Sequence, residues 1–249
     1  MLGVMQVELQ KLDTFRDMHE ELIGYIKRVK KFVILYRHKL WNCIPSNLMQ
    51  LFSHVKSLTV KECECLEEIF ESNDSMLQCE LEALELFSLP KLKLLWKNHG
   101  QIIGFEWLRH IMIEQCNNLE YVLPDVSVVT SLRSLVSIRV FECEKMKEII
   151  GNNCNPINYV QQKAKIKFPK LEEILLEKLP SLKWFSQSSF PCYVDMPRCG
   201  WIVIKDCPKM KTFWYNGILY TPGLEGIYAE ITEFDKDEDV NEVIQRQNK

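Results

Sequence analysis

The hydrophobic residues of this chain fall into a spacing that repeats. The first clear copy is Val55, Leu58, Val60, Cys63, Leu66, Ile69 and Phe70, or V-x-x-L-x-V-x-x-C-x-x-L-x-x-I-F. It returns at Leu81, Leu84, Leu86, Leu89, Leu92, Leu95 and Trp96, and again at Leu108, Ile111, Ile113, Cys116, Leu119, Val122 and Leu123. A fourth copy reads Leu135, Ile138, Val140, Cys143, Met146, Ile149, Ile150; a fifth Leu171, Ile174, Leu176, Leu179, Leu182, Phe185; a sixth Cys199, Ile202, Ile204, Cys207, Met210, Phe213, Trp214. A fixed period of this length is one small unit stacked on copies of itself, because no unit alone can bury its apolar side.

Counting the first hydrophobic residue of each copy as position one, positions four to six alternate with period two, which predicts a short strand with one buried face. Copies laid side by side predict a parallel sheet lining the inner curve of a horseshoe. The last part of each unit holds large apolar groups but sustains no helical period, so the convex side is expected to be irregular or built of short helical segments. The predicted fold class is therefore an α/β solenoid. Cysteine or leucine occupies position nine, where a thiol is small enough to be buried and can face backbone carbonyls. Pro90, Pro180 and Pro208 follow at three of these positions and stop the strand, since proline has no N–H.

The pattern also sets the boundaries. Val29, Phe32 and Ile34 stand one period before the first clear copy, and Leu224 and Ile227 suggest a partial last strand, so the repeats span 29–229. The step from the fourth to the fifth copy is long, and 151–167, rich in Asn, is expected to be an inserted loop leaving the stack. Leu9, Leu12, Phe15, Leu22 and Ile26 fit a helical spacing, which makes 1–28 an amphipathic helical cap. Residues 230–249, dense in Asp and Glu over their first half, read as an acidic cap or tail.

Composition narrows the function. Against 34 acidic residues stand 31 Lys and Arg, a formal charge of −3 that provides no general drive towards nucleic acid or anionic lipid. No apolar run can span a bilayer, and scattered charges in Met1–Lys30 replace the continuous apolar centre of a signal peptide; the chain is expected to be cytoplasmic. Four of ten cysteines share position nine, an arrangement that calls for reduced thiols rather than disulfides. Neither common nucleotide loop occurs, the five histidines lack zinc-helix spacing, and Cys63-x-Cys65 is too tight for a zinc knuckle. No cofactor, metal or enzymatic activity is expected.

What is left is the inner face, where positions three, five, seven and eight point away from the core and stack into columns. Phe87, Met112, Phe141, Leu175 and Trp201, far apart in sequence, are expected to converge there as a protein-binding patch rimmed by Arg139, Glu142, Glu173 and Lys178. The competing reading is that these apolar groups only pack against one another and that the charges keep the face soluble.

L-P-K-L-K-L-L-W (89–96), F-P-K-L-E-E-I-L-L-E-K-L-P-S-L-K (168–183) and I-K-D-C-P-K-M-K-T-F (204–213) resemble the C-terminal leucine-rich repeats of plant nucleotide-binding resistance proteins of the coiled-coil class. Residues 239–245 are similar to the segment with which such chains often end. The resemblance implies a leucine-rich repeat horseshoe from an intracellular immune receptor, whose repeats detect pathogen effectors or modified host proteins and restrain a nucleotide-binding domain. No such domain or long coiled coil precedes these repeats, which suggests a fragment, a truncated product or a free-standing repeat protein. The leading expectation is a non-catalytic protein-recognition module of plant defence. Alternatives are a substrate-recognition subunit of a ubiquitin ligase and an inert remnant of a receptor gene.

Overall fold

The computed structural model describes residues 30–35, 54–70, 80–96, 105–124, 129, 131–151, 165–229 and 239–247. The helical cap expected at 1–28 lies outside the described residues, as does most of the expected insertion. Twelve strands and one helix follow in order among the described residues: β1 (Lys31–Leu35), β2 (Ser57–Lys61), β3 (Ala83–Phe87), β4 (His110–Glu114), β5 (Ser137–Phe141), β6 (Glu148–Ile150), β7 (Lys165–Lys167), β8 (Glu173–Glu177), β9 (Trp184–Asp195), β10 (Trp201–Lys205), β11 (Trp214–Tyr220), β12 (Gly226–Ala229) and α1 (Val240–Gln247).

The repeat unit folds as its pattern dictates. Position four of each copy pairs with position four of the next, through Phe32, Leu58, Leu84, Ile111, Ile138, Ile174, Ile202 and Ile227, giving one parallel sheet ordered β1-β2-β3-β4-β5-β8-β10-β12. The two degenerate edge copies supply its outermost strands. Positions one, four, six and nine are buried in almost every copy and merge into one continuous core. After β3, β4, β5, β8 and β10 the chain turns inward by the same bond: the N–H of position twelve donates to the carbonyl of position nine, as in Leu92 to Leu89 and Met210 to Cys207. A register set by buried side chains on one face cannot slip by a residue without turning that face to water.

The convex side is irregular in the early copies, with isolated bridges such as Glu68–Leu94. Later copies add a feature beyond the expected irregular segments. A second parallel sheet runs β11-β9-β6, and β7 also pairs with β9. Here the sequence does not alternate cleanly, but the aromatic and β-branched residues of Trp214–Tyr220 suit a half-buried strand better than a turn. Lys165–Lys167, within the span expected to leave the stack, returns to it: Ile166 is buried and pairs with Val194.

The far end is closed by α1. Val240, Val243 and Ile244, at i, i+3 and i+4, are buried against the last copy. Asp239 caps the helix, its Oδ1 accepting the Asn241 N–H at 2.7 Å. Asn241 then grips the stack. Its Oδ1 accepts from Thr212 Oγ1 and from the Trp214 N–H, both at 2.8 Å, and its Nδ2 donates to the Gly217 carbonyl at 3.3 Å. The Trp214 N–H and the Gly217 carbonyl are backbone groups of the edge strand β11.

Candidate protein-recognition face

The candidate site is the face of the eight-stranded sheet turned away from the core, together with the row of residues where its strands end. Position eight closes each strand in the left-handed region: φ is 55° at Glu62, 52° at Ser88, 56° at Gln115, 52° at Glu142, 56° at Lys178 and 52° at Asp206. Glycine, the residue least strained there, is at none of them. In the first five, the turn aims the N–H at the position-seven carbonyl of the next strand, as from Gln115 to Phe141 at 3.1 Å. That carbonyl has a second lone pair, and a thiol meets it where position nine is cysteine. Cys143 Sγ lies 3.2 Å from Phe141 O, Cys207 Sγ 3.3 Å from Lys205 O and Cys116 Sγ 3.6 Å from Glu114 O. Burial pushes the Cys143 thiol up to about 12 and drives the Cys116 thiol upward too, so both are held protonated as donors.

The position-eight side chains then link across copies. Ser88 Oγ donates to Gln115 Oε1 at 2.9 Å, Gln115 Nε2 to Glu142 Oε2 at 2.9 Å, and Lys178 Nζ to Glu142 Oε1 at 2.6 Å. The hydrogen bonds of Lys178 and Gln115, with the Lys178 charge, hold the Glu142 carboxyl below its ordinary range. Glu142 and Lys178 are thus members of this rim ladder.

The sheet face changes character along its length. Its first half is polar and knitted together. Thr59 donates to Glu85 at 2.7 Å, Lys56 pairs with Glu82, and His110 Nδ1 lies 2.9 Å from Ser137 Oγ. Burial, then the charges of Arg109 and Arg139, lower the His110 pKa, which favours a neutral ring at this bond. Phe87 is partly covered by Lys61, whose Nζ is 4.5 Å from the ring centre. Phe87 and Phe141 flank Glu114 in the position-seven row, so the two rings do not meet in register. Met112 sits between Glu85 and Arg139 in the position-five row.

From β5 onward the face turns apolar. Arg139, Leu175, Val203 and Tyr228 are successive neighbours at position five. Arg139 reaches sideways instead of outward, with Nε at 2.8 Å and Nη2 at 2.6 Å from Glu173 Oε2, so cation and carboxylate satisfy each other beside Leu175. Trp201, 38% exposed, stacks on Tyr228, 62% exposed, with ring centres 5.6 Å apart. A Cβ at Gly226 would stand 2.6 Å from Trp201 Cζ3, so only glycine lets the indole lie across β12. The expected residues therefore separate. Leu175, Trp201, Arg139 and Glu173 share one region with Val203 and Tyr228; Phe87 and Met112 lie towards the polar half, and Phe141 lies between. Tyr228 was missed because the last copy is incomplete, although its place two residues after Gly226 is the position-five spacing.

Among the described residues no group of three His, Cys, Asp or Glu is placed to hold a metal ion, all seven described cysteines are free, and no described helix is long and apolar enough to cross a membrane. Such a solenoid is typically a non-catalytic interaction module, and proteins of this kind generally bind other proteins. In comparisons with known proteins, no curated protein and no solved structure gives a significant match. The family described as "Plant disease resistance protein RPS2-like, leucine-rich repeats" matches residues 6–144, more than half of the 249. With the same register carried through the copies beyond that match, the chain belongs to this family of plant disease resistance leucine-rich repeat proteins.

Proposed function

We propose that this chain is a protein-recognition module of plant innate immunity, acting in the cytoplasm. Its partner is a pathogen effector, a host protein that effectors modify, or the nucleotide-binding domain of a resistance receptor. Family membership supports a role in immunity, and the free cysteines suit a reducing compartment. The observation that carries the reading is the apolar half of the sheet face. Leu175, Val203, Trp201 and Tyr228 form a contiguous patch, bordered by the matched Arg139–Glu173 pair and by Lys205 bonded to Glu177 at 3.3 Å. Large aromatic anchors inside a rim of satisfied charges are the arrangement from which interface hot spots are made.

A photo-reactive phenylalanine in place of Trp201, introduced in plant cells during infection, is expected to capture the partner. The Kd measured with that purified partner should then rise about thirtyfold when Leu175, Trp201 and Tyr228 are all changed to Ala, with the circular dichroism spectrum unaltered. An unchanged Kd in a folded triple variant removes these residues from the interface.

A further inference from the structure

The rim of the sheet carries a second surface. Positions eight and ten of six successive copies form the two walls of one groove of about 1210 Å³, running across the strands at their C-terminal ends. Its apolar stretches include Pro90, Pro180 and Pro208, and at its far end Ile204, Met210 and Ile244 of α1 contribute. Its charged lining is one-sided: Glu62, Glu64, Glu142, Glu144 and Asp206 against Lys178. The lysine is bound to Glu142, and five carboxylates against one ammonium leave the lining with a negative balance of charge. The chain as a whole is near neutral by comparison, with 31 basic and 34 acidic residues.

We propose that this groove docks an extended, basic segment of a partner protein. Three features select that occupant. A groove with apolar stretches and predominantly acidic walls favours a cationic polypeptide by charge complementarity. The acids are spaced, not clumped: they stand on the turns after β2, β5 and β10, three and then two strands apart in the sheet order. With strands about 4.8 Å apart, those intervals are about 14 Å and 10 Å. An extended chain rising about 3.3 Å per residue covers them in roughly four and three residues. Its side chains alternate sides, so cations at i and i+4 face Glu64 and Glu144 on the position-ten wall, and one at i+7, on the opposite side, faces Asp206 on the position-eight wall. Finally, the turns that carry Pro90, Pro180 and Pro208 are each held by the same bond from position twelve to position nine, so this part of the groove is preformed and little ordering cost falls on it.

The test uses a fluorescein-labelled Gly/Ser peptide with arginines at i, i+4 and i+7, and a peptide of the same composition with its arginines adjacent. Fluorescence anisotropy with the full chain at low ionic strength should show the spaced peptide binding more tightly. Glu64→Gln with Glu144→Gln should weaken it about tenfold. Glu67→Gln with Glu120→Gln, which removes two acids from the ion pairs with Lys93 and Lys147, should leave it unchanged. The proposal is overturned if the spaced peptide does not bind, if both peptides bind equally, or if the second double variant weakens binding as much as the first. None of these substitutions touches Leu175, Trp201 or Tyr228, so this groove and the sheet face stand or fall on separate measurements.

Discussion

At the scale of single residues, the most informative position is the eighth. Six residues of different chemistry, Glu62, Ser88, Gln115, Glu142, Lys178 and Asp206, hold a backbone conformation that costs an L-residue about 1 kcal/mol or more. Their side chains have to offset that cost, and the ladder from Ser88 to Lys178 does so for the middle copies. Glu62 stands outside this run of bonds. Glu62→Gly is therefore expected to raise stability by about 0.5 kcal/mol, the relief of strain exceeding the extra chain entropy of glycine. Glu142→Gly relieves the same strain but strips two partners, and should be neutral or destabilising. Urea midpoints of the two variants decide the matter; equal stabilisation would mean the ladder contributes nothing. None of this was legible in the sequence, because left-handed positions are normally read from Gly or Asn, and neither stands in this column.

At the scale of elements, legibility followed burial. The strands of the main sheet were readable because positions four and six are occupied almost wholly by Leu, Ile and Val, and a period of two survives even in the degenerate copies that hold Ile34 and Ile227. The convex strands were not readable in the same way. Trp184–Asp195 contains Pro191 and pairs irregularly with β11, so no clean alternation advertises it. The end helix showed a partial signal in Val240, Val243 and Ile244, but its attachment rests on one polar side chain that no hydrophobic pattern reveals. Asn241 satisfies the Trp214 N–H, the Thr212 hydroxyl and the Gly217 carbonyl together. Asn241→Ala leaves these groups without their partner and should cost the last copy about 2 kcal/mol. Limited trypsin digestion reads this directly, as faster cleavage after Arg246 or Lys211 than in the unaltered protein. Cleavage at the original rate at both sites would show that α1 is held by its apolar face alone.

For the molecule as a whole, repetition makes stability a sum of copies and of the contacts between neighbours, so where a defect falls matters as much as what it removes. Ile138 and Ile227 are chemically identical, occupy the same position of their copies and are both buried, at 0% and 4% exposure. Ile138 sits in β5 with a paired strand on each side, whereas Ile227 lies in β12 at the end of the sheet order. Truncating Ile138 to Ala removes contacts from the middle of the core and should lower the stability of the stack by about 3 kcal/mol. The same change at Ile227 should be absorbed locally, as fraying of the last copy, because copies further in keep all their neighbours. Amide hydrogen exchange separates the two outcomes. Ile138→Ala should accelerate exchange in β3, β4, β5 and β8 together. Ile227→Ala should accelerate it in β12 and leave β4 and β5 as they were. If both variants raise exchange uniformly, the stack unfolds as one cooperative body, and the apolar patch around Trp201 and Tyr228 shares the stability of the centre. If they differ as expected, that patch lies at the end of the stack that opens at least cost. A partner bound across Trp201, Val203 and Tyr228 should then slow exchange in β10 and β12 more than in β4 and β5, because binding stabilises most what was least stable.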